Sequence, residues 1–491
     1  MPSGPAQTAD PDLTAPTLHC DVLIVGAGSA GAVVAERLSA DPACQVVVVE
    51  AGPALTEPGV SALTGDVSML PIGGASPLVQ RYETLLTEHP PRAAQIVRGA
   101  VAGGSGAVNG GYFCRGLRRD FERWHLSGWS WPEVLAHFRA IETDADFADS
   151  SHGRAGPIPV CRVRDFAPGT AEFVERARAA GHPWIADMNA ESAVPGVGPV
   201  PLNAAQRARV GPGVAFLGAA LGRRNLTLLA RTRVHRIRFL AGRAVGADVH
   251  GPAGRVVLAA DRVVVCAGAI GSAHLLMHSG IGPEAMLRRV GLPVLMAAPV
   301  GAQCIDHPEW VMAVDWPTVP GRPVLEAVLS TEFDIEIRPY TGGFIAMTGQ
   351  GSSGHPDWPH IGVALMRPRS RASVLLSCGD PTVRPRVEHR YDAEPSDVEA
   401  LRHGSELARE LCSLTRSLGE PLWSTSQHLC GSAPMGSESD ERAVLDERCR
   451  VRGMTGLWVI DGSALPAITS RGPHATIVML AHRAAEFVMR G

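Results

Sequence analysis

An apolar strand that runs directly into a glycine-rich turn is the feature that most constrains the fold of this chain. The stretch VLIVGAGSAGAVVAERL, residues 22–38, places Gly26, Gly28 and Gly31 between that strand and an alanine-rich helix. A second apolar strand, QVVVVE, follows and ends on Glu50. This order predicts a βαβ unit that binds a dinucleotide, because the glycines allow a tight turn and close approach to a pyrophosphate at the helix N-terminus.

The acid at the end of the second strand narrows the choice of dinucleotide. Glu50 can accept a hydrogen bond from a ribose hydroxyl, which argues against the ribose phosphate of NADP and leaves NAD and FAD open. Ser29 in the turn and Ala51 after the acid are further candidate contacts.

Composition excludes several other classes of protein. The formal net charge is -4, and all 45 basic residues are arginine, since the chain contains no lysine. Enzymes that need a Schiff-base or P-loop lysine are therefore excluded, and no basic patch predicts nucleic-acid binding. The 10 cysteines have no metal-site or disulfide spacing and predict reduced thiols, with no metal bound. We expect residues 1–18 to be a disordered leader. We also expect that no segment spans a membrane. The protein should be cytoplasmic and should contact at most the inner face of the membrane.

Further motifs resemble one flavoprotein family along nearly the whole chain after residue 20. The stretches GAVAGGSGAVNGGYFCRG (99–116) and CAGAIGSAHLLMHSGIGP (266–283) are similar to the two signatures of the glucose-methanol-choline (GMC) oxidoreductases. VGAQCIDHP, DPTVRPRVEHRY, HLCGSAPMG and GLWVIDGSALP follow in the family's order. The resemblance implies a bound FAD. It also implies non-covalent binding, because Val108 stands where some members attach flavin through a histidine.

The glycine-rich motifs and the resemblance together predict the cofactor contacts. Glycine is needed where backbone lies against the flavin ring, and Asn109 offers an amide donor there. The predicted cofactor-binding residues are Gly26, Gly28, Ser29, Gly31, Glu50, Ala51, Gly103, Gly104, Ser105, Asn109, Gly110, Val234, Asp461, Gly462, His474 and Ala475.

Alcohol oxidation needs a base for the hydroxyl proton, and histidine suits that role because its pKa lies near working pH. The resemblance assigns His428, in HLCGSAPMG, as this base and gives His307 a structural role. Pro473 suits the first turn of the last helix, so that His474 and Ala475 would present backbone N–H groups to the flavin. A one-residue shift in the family pattern makes His474 the predicted catalytic partner of His428.

The motif order predicts an α/β protein with two interleaved domains. An FAD-binding, Rossmann-like domain is expected from residues 19–146, 199–300 and 428–491. Residues 147–198 and 301–427 are expected to form an α+β substrate domain. In it, VMAVDW, FDIEIRPY and ASVLLSC predict an antiparallel sheet, and PSDVEALRHGSELARELCSL predicts a helix behind that sheet.

Within the family, GGYFCRG and SRGPHATIVMLAHRAAEF look most like the mycofactocin-associated dehydrogenases of actinobacteria. That resemblance implies oxidation of mycofactocinol and electron transfer to a respiratory-chain component. Three alternatives remain open. They are an oxidase or dehydrogenase of a small primary alcohol, choline-like compound or sugar, a flavin-bound lyase, and a non-catalytic protein that keeps FAD only for structure.

Overall fold

A seven-stranded sheet forms the centre of one half of the computed structural model, which describes residues 18–191, 195–348, 357–412 and 419–490. Its strands, in spatial order, are Leu226–Leu229, Val46–Val49, Leu18–Val25, Gly254–Val265, Arg243–Gly251 and Arg233–Leu240, with Leu457–Val459 also paired to Gly254–Val265. The two pairings made by Arg243–Gly251 are antiparallel, and the others are parallel. The mostly parallel sheet of the predicted α/β class is confirmed.

The apolar runs of the first βαβ unit explain why this sheet is central. All four valines of Val46–Val49 are buried, and they pair with the end of strand Leu18–Val25. Helices Ser29–Leu38 and His474–Met489 pack against each other beside the sheet, through mostly buried faces. Strands covered on both faces require such continuous apolar sequence.

A six-stranded antiparallel sheet forms the second half. Its strands, in spatial order, are Leu422–Thr425, Pro308–Ala313, Pro359–Leu365, Ile335–Gly343, Ala327–Ser330 and Gly196–Pro199. Helices Pro168–Ala179 and Pro395–Cys412 cover one face and share an apolar core with it. The predicted helix is thus present through Cys412, and its last predicted residues lie outside the described part of the chain.

One predicted strand belongs to a different sheet. ASVLLSC contributes Ser373–Leu375, which lies with Arg386–Glu388, Val79–Glu88 and Pro91–Gly99 in a separate four-stranded sheet. The expectation that it joins FDIEIRPY was wrong, because alternation predicts a strand but not its partner.

The division into three FAD-binding segments and two substrate-binding segments stays a prediction. The seven-stranded sheet takes strands from 18–49, 226–265 and 457–459. Residues 1–17 of the expected leader lie outside the described residues, whereas Leu18 already belongs to the first strand.

The remaining short strands pair two by two. They are Glu142–Asp144 with Ile158–Val160, Ala204–Ala205 with Ala208–Arg209, and Ile281–Gly282 with Met296–Ala297. The other α-helices are Val60–Gly65, Arg118–Trp124, Trp131–Ile141, Gly268–His278, Glu284–Arg289 and Phe344–Met347. Within the described ranges, none of the helices has the length and hydrophobicity to cross a membrane. All ten cysteines are free thiols.

Candidate active site

The first glycine turn lies directly against the second family signature. Gly26 has φ +100, and a β-carbon there would lie 2.5 Å from the carbonyl oxygen of Cys266. A β-carbon on Gly31 would lie 1.9 Å from the Gly26 oxygen. The carboxylate of Glu50 accepts hydrogen bonds from the backbone N–H groups of Ala27 (2.9 Å) and Gly52 (2.8 Å). Burial raises the pKa of Glu50, and these two donors oppose that rise.

The 3-10 turn Gly104–Ala107 and the preceding Gly103 lie against the same glycine turn. Gly104 has φ +55, and a β-carbon there would lie 2.7 Å from Cα of Gly28. The N–H of Gly103 donates to Ala27 O at 2.7 Å. Ser105 Oγ accepts from the N–H of Gly99 at 3.1 Å. The structure therefore brings together two predicted cofactor loops that are far apart in the chain.

His474 joins these loops to the C-terminal helix. It is the first residue of helix His474–Met489, and Pro473 precedes that helix instead of lying in its first turn. Its ring lies 3.2 Å from Oγ of Ser29 and 3.1 Å from Nδ2 of Asn109. Burial, followed by Arg209, lowers the pKa of His474 to about 4. Because Ser29 also begins a helix, two helix N-termini converge here, an arrangement that stabilises negative charge.

Asp461 connects the second signature to the C-terminal segment. Its carboxylate accepts hydrogen bonds from Ser272 Oγ (2.6 Å), Gly268 N (2.8 Å) and Ser463 N (2.8 Å). The strand Leu457–Val459 ends two residues before Asp461. Burial raises the pKa of Asp461, and the hydrogen bonds oppose that rise.

The other predicted cofactor residues lie in several parts of the fold. Val234 is half-buried opposite Val249, and Ala51 is exposed after the second strand. A β-carbon on Gly110 would contact Val324 at 3.5 Å, and one on Gly462 would contact Ile477 at 3.1 Å. Ala475 is fully buried in the first turn of the last helix.

His428 is held by the motif DHP. Its backbone N–H donates to Asp306 Oδ1 at 2.7 Å, and its Nδ1 lies 2.9 Å from Nδ1 of His307. Nε2 of His307 lies 3.1 Å from the carbonyl oxygen of Thr469. The hydrogen-bond partner of His428 is thus His307, whereas His474 is bound by Ser29 and Asn109. His307, expected to be structural, contacts the predicted base directly.

Asp306 is the centre of this arrangement, and sequence reasoning missed it. Its second carboxylate oxygen accepts from Thr425 Oγ1 (2.7 Å), His389 Nε2 (2.9 Å) and Tyr391 OH (2.9 Å). Burial alone would raise the pKa of Asp306. The hydrogen bond that His389 donates to Asp306, together with the electrostatic attraction of His389, holds this pKa below its usual range. The motifs DHP and VEHRY were visible in the sequence, and only the fold shows that they meet.

Gln427 determines how the chain approaches His428. It has φ +64, a conformation that a non-glycine residue rarely adopts. Its side-chain oxygen accepts from Val97 N (3.0 Å) and Arg98 (2.8 Å), which hold it in place.

Buried charges surround the two histidines on the inner face of the six-stranded sheet. Arg338 donates to Glu336 (2.8 Å) and Glu309 (3.1 Å), and Tyr112 OH donates to Glu336 at 2.9 Å. Burial, then the neighbouring His307 and Arg338, hold the pKa of His428 well below its usual value. His428 is therefore neutral near pH 7 and can accept a proton.

Tyr112 lies between the two parts of the site. A β-carbon on Gly472 would lie 3.0 Å from the Tyr112 ring and 3.3 Å from Cε1 of His428. The adjacent Phe113 packs edge-on against His474, with ring centroids 5.5 Å apart. His428 and the converging helix ends thus adjoin one segment, residues 112–113.

These residues fit a bound dinucleotide. The Gly28–Gly104 contact forms a cradle that a β-carbon would fill, and two helix N-termini can face a pyrophosphate. A half-buried, neutral histidine, His428, lies beside Gly472, two residues before His474. Fold and site together define a dinucleotide-dependent oxidoreductase.

Sequence comparisons name the family. Profiles described as GMC oxidoreductase match residues 20–309 and 368–481. The chain belongs to the GMC oxidoreductase family, and it is a FAD-dependent oxidoreductase that acts on CH–OH groups. The predicted family, fold class and enzyme class are confirmed.

Individual relatives align over nearly their whole length. An "uncharacterized GMC-type oxidoreductase in thcA 5'region" from Rhodococcus erythropolis is 41% identical, covering 96% of this chain and 98% of that protein. An oxygen-dependent choline dehydrogenase from Vibrio vulnificus is 29% identical, covering 96% and 94%. The crystal structure of pyridoxine 4-oxidase from Mesorbium loti has a TM-score of 0.87 at 29% identity, covering 96% and 99%.

Proposed function

We propose that His428 is the base of an alcohol oxidation. The observation that carries this proposal is a half-buried, neutral imidazole, held by Asp306 and His307 beside Gly472, just before the last helix. His428 takes the hydroxyl proton while the carbinol carbon loses a hydride, so that the alcohol becomes a carbonyl compound. Bound FAD supplies the acceptor for that hydride.

We infer that His474 acts beside His428, as its catalytic partner and as a cofactor contact. Its ring contacts with Ser29 and Asn109 and its place at a helix N-terminus support the cofactor role. If substrate reduces the flavin of the His474→Ala variant at the full native rate, the paired-histidine proposal is wrong. Gly26, Gly28, Gly31, Gly103 and Gly104 would supply the backbone cradle.

FAD would be held without a covalent bond. Val108, which is buried, offers no nucleophile at the position where the resemblance places a flavin-linked histidine. Acid precipitation of the holoenzyme should leave all the flavin in the supernatant. Flavin retained in the pellet would show a covalent link elsewhere.

For the substrate, we propose mycofactocinol, with a respiratory-chain component as electron acceptor in the cytoplasm. The support is the similarity of GGYFCRG and SRGPHATIVMLAHRAAEF to the mycofactocin-associated dehydrogenases of actinobacteria. A small primary alcohol is the second candidate. It is favoured by the names of two relatives, a choline dehydrogenase and a pyridoxine 4-oxidase.

Anaerobic absorption spectroscopy of the holoenzyme separates these candidates. Mycofactocinol, choline, pyridoxine and simple primary alcohols are each added, and bleaching of the flavin band is followed. Bleaching by mycofactocinol alone would support the proposed substrate, whereas bleaching by the other alcohols would replace it. His428→Ala should keep FAD bound, but its flavin should be reduced about 100-fold or more slowly, because a general base contributes that much to the rate. Full reduction by this variant would contradict the assignment of the base.

A further inference from the structure

We propose that His307 is a positioning residue that sets the tautomer of His428, so that Nε2 of His428 carries the lone pair offered to the alcohol. The inference rests on the proposed role of His428 as the base. It follows from two contacts of the His307 ring, one with the carbonyl oxygen of Thr469 and one with the ring of His428.

The Thr469 carbonyl determines the state of the first ring. A carbonyl oxygen can only accept a hydrogen bond, and it lies 3.1 Å from Nε2 of His307. Nε2 of His307 must therefore carry a hydrogen and donate it.

A neutral imidazole has one N–H, so the other nitrogen of His307 must be an acceptor. His307 is fully buried, and burial, followed by Arg338, lowers its pKa to about 4. Nδ1 of His307 is then a bare lone pair near pH 7. Since Nδ1 of His428 lies 2.9 Å away, the hydrogen between them belongs to His428.

The same rule fixes the outer nitrogen of His428. His428 is also neutral, so with its hydrogen on Nδ1 its Nε2 has none. No hydrogen bond to this Nε2 is found among the residues that the structure describes, and Gly472 beside Cε1 adds no side chain. The charged groups facing the two rings are Asp306, Arg338, Arg98 and Glu336.

The backbone holds both histidines independently of their rings. Asp306 Oδ1 accepts from the N–H groups of His307 (2.9 Å) and His428 (2.7 Å). A side-chain change at His307 should therefore leave the main chain at His428 in place. The contribution of the His307 ring can thus be tested separately.

Two substitutions test the two ring nitrogens of His307 separately. In His307→Asn, Oδ1 takes the place of Nδ1 and can still accept from His428. In His307→Gln, the amide reaches the place of Nε2 and can still donate to Thr469, but His428 loses its acceptor. We expect His307→Asn to reduce its flavin within about tenfold of the native rate, and His307→Gln to be slower by about 100-fold or more, with FAD retained in both. Equal rates in the two variants, or a faster His307→Gln, would overturn the proposal.

Nitrogen NMR of the histidine-labelled holoenzyme tests the tautomer without turnover. His428 signals are assigned by their loss in His428→Gln. A protonated Nδ1 and a bare Nε2 on His428 in the native enzyme are expected, and a protonated Nε2 would overturn the proposal. Because the NMR measurement needs no substrate, it tests the tautomer independently of the role of His428 as the base. The assignment of the base fails instead if His428→Ala keeps the native rate of flavin reduction.

Discussion

Single residues of the cofactor loops are determined by contacts between distant segments. Gly104 lies so close to Gly28 that a β-carbon would approach Cα to 2.7 Å, and its φ of +55 disfavours side chains as well. The sequence predicted that both glycine-rich loops bind the cofactor. It could not indicate that one loop packs on the other, because that contact depends on the tertiary fold.

Gly104→Ala should therefore weaken FAD binding. Backbone strain of about 1–3 kcal/mol alone predicts roughly tenfold to 100-fold weaker binding, and the clash with Gly28 adds to it. Flavin absorbance per protein after desalting measures the loss. Gly254→Ala is the control, because Gly254 has φ +91 but open space around its β-carbon position. FAD content equal in the two variants would contradict this explanation.

At the scale of elements, the sequence predicted strands and helices better than their partners. The hairpin Val79–Glu88 and Pro91–Gly99 was not predicted, and its partner strand Arg386–Glu388 lies about 300 positions later in the chain. Strand Glu142–Asp144 likewise begins a buried charge cluster that no local pattern indicated. Both arise from long-range pairing, which alternation of apolar residues does not specify.

The charge cluster consists of Glu142, Asp144 and Asp187 with Arg115, Arg162 and His152. Among the described residues, Glu142, Asp144 and His152 are the one group whose ligand atoms lie within 4.8 Å of one another, as a metal site would need. Two guanidinium groups and a protonated His152 balance the three carboxylates, so the cluster is explained as ion pairs. Burial opposes protonation, but the neighbouring carboxylates of Asp144 (3.2 Å from Nδ1), Asp187 (2.9 Å from Nε2) and Glu142 (3.6 Å from Nδ1) raise the pKa of His152 to about 11.

His152→Gln should destabilise the fold by about 3–5 kcal/mol near pH 7, since it leaves buried carboxylates uncompensated. The folded-state pKa of His152 is raised, so its contribution is full below pH about 6.5 and is lost as pH rises through about 11. The difference in urea midpoint between native protein and variant should therefore shrink from pH 7 to pH 11. Because the chain contains no lysine, no lysine side chain titrates in that range. A difference that stays constant with pH would mean that His152 is not the titrating group.

On the scale of the whole molecule, the last segment of the chain completes both the sheet and the site. Leu457–Val459 joins the sheet beside Gly254–Val265, and Asp461 then binds the second signature. His428 binds Asp306, next to the six-stranded sheet. Residues from both halves thus converge on the predicted flavin.

Removing FAD should therefore lower the stability of the whole chain. A ligand that binds only the folded state adds stability by mass action, and the resulting shift should be several degrees for tight binding. Circular dichroism and tryptophan fluorescence should show the same lower midpoint in the apoprotein, restored by added FAD. An unchanged midpoint by both probes would show that the flavin is not coupled to folding.

The sequence alone determined the βαβ unit, the family and the enzyme class, since these depend on residues that are close in the chain or on motifs that follow one another in the family's order. The role of His428 stays a prediction from the same motifs. The convergence of His428, His389 and Thr425 on Asp306, and of Ser29 and Asn109 on His474, was decided only by the tertiary structure. Each of these contacts joins residues from distant segments. Hydrogen bonds need partners placed to within a few tenths of an ångström, and only the packed sheets and helices provide that placement.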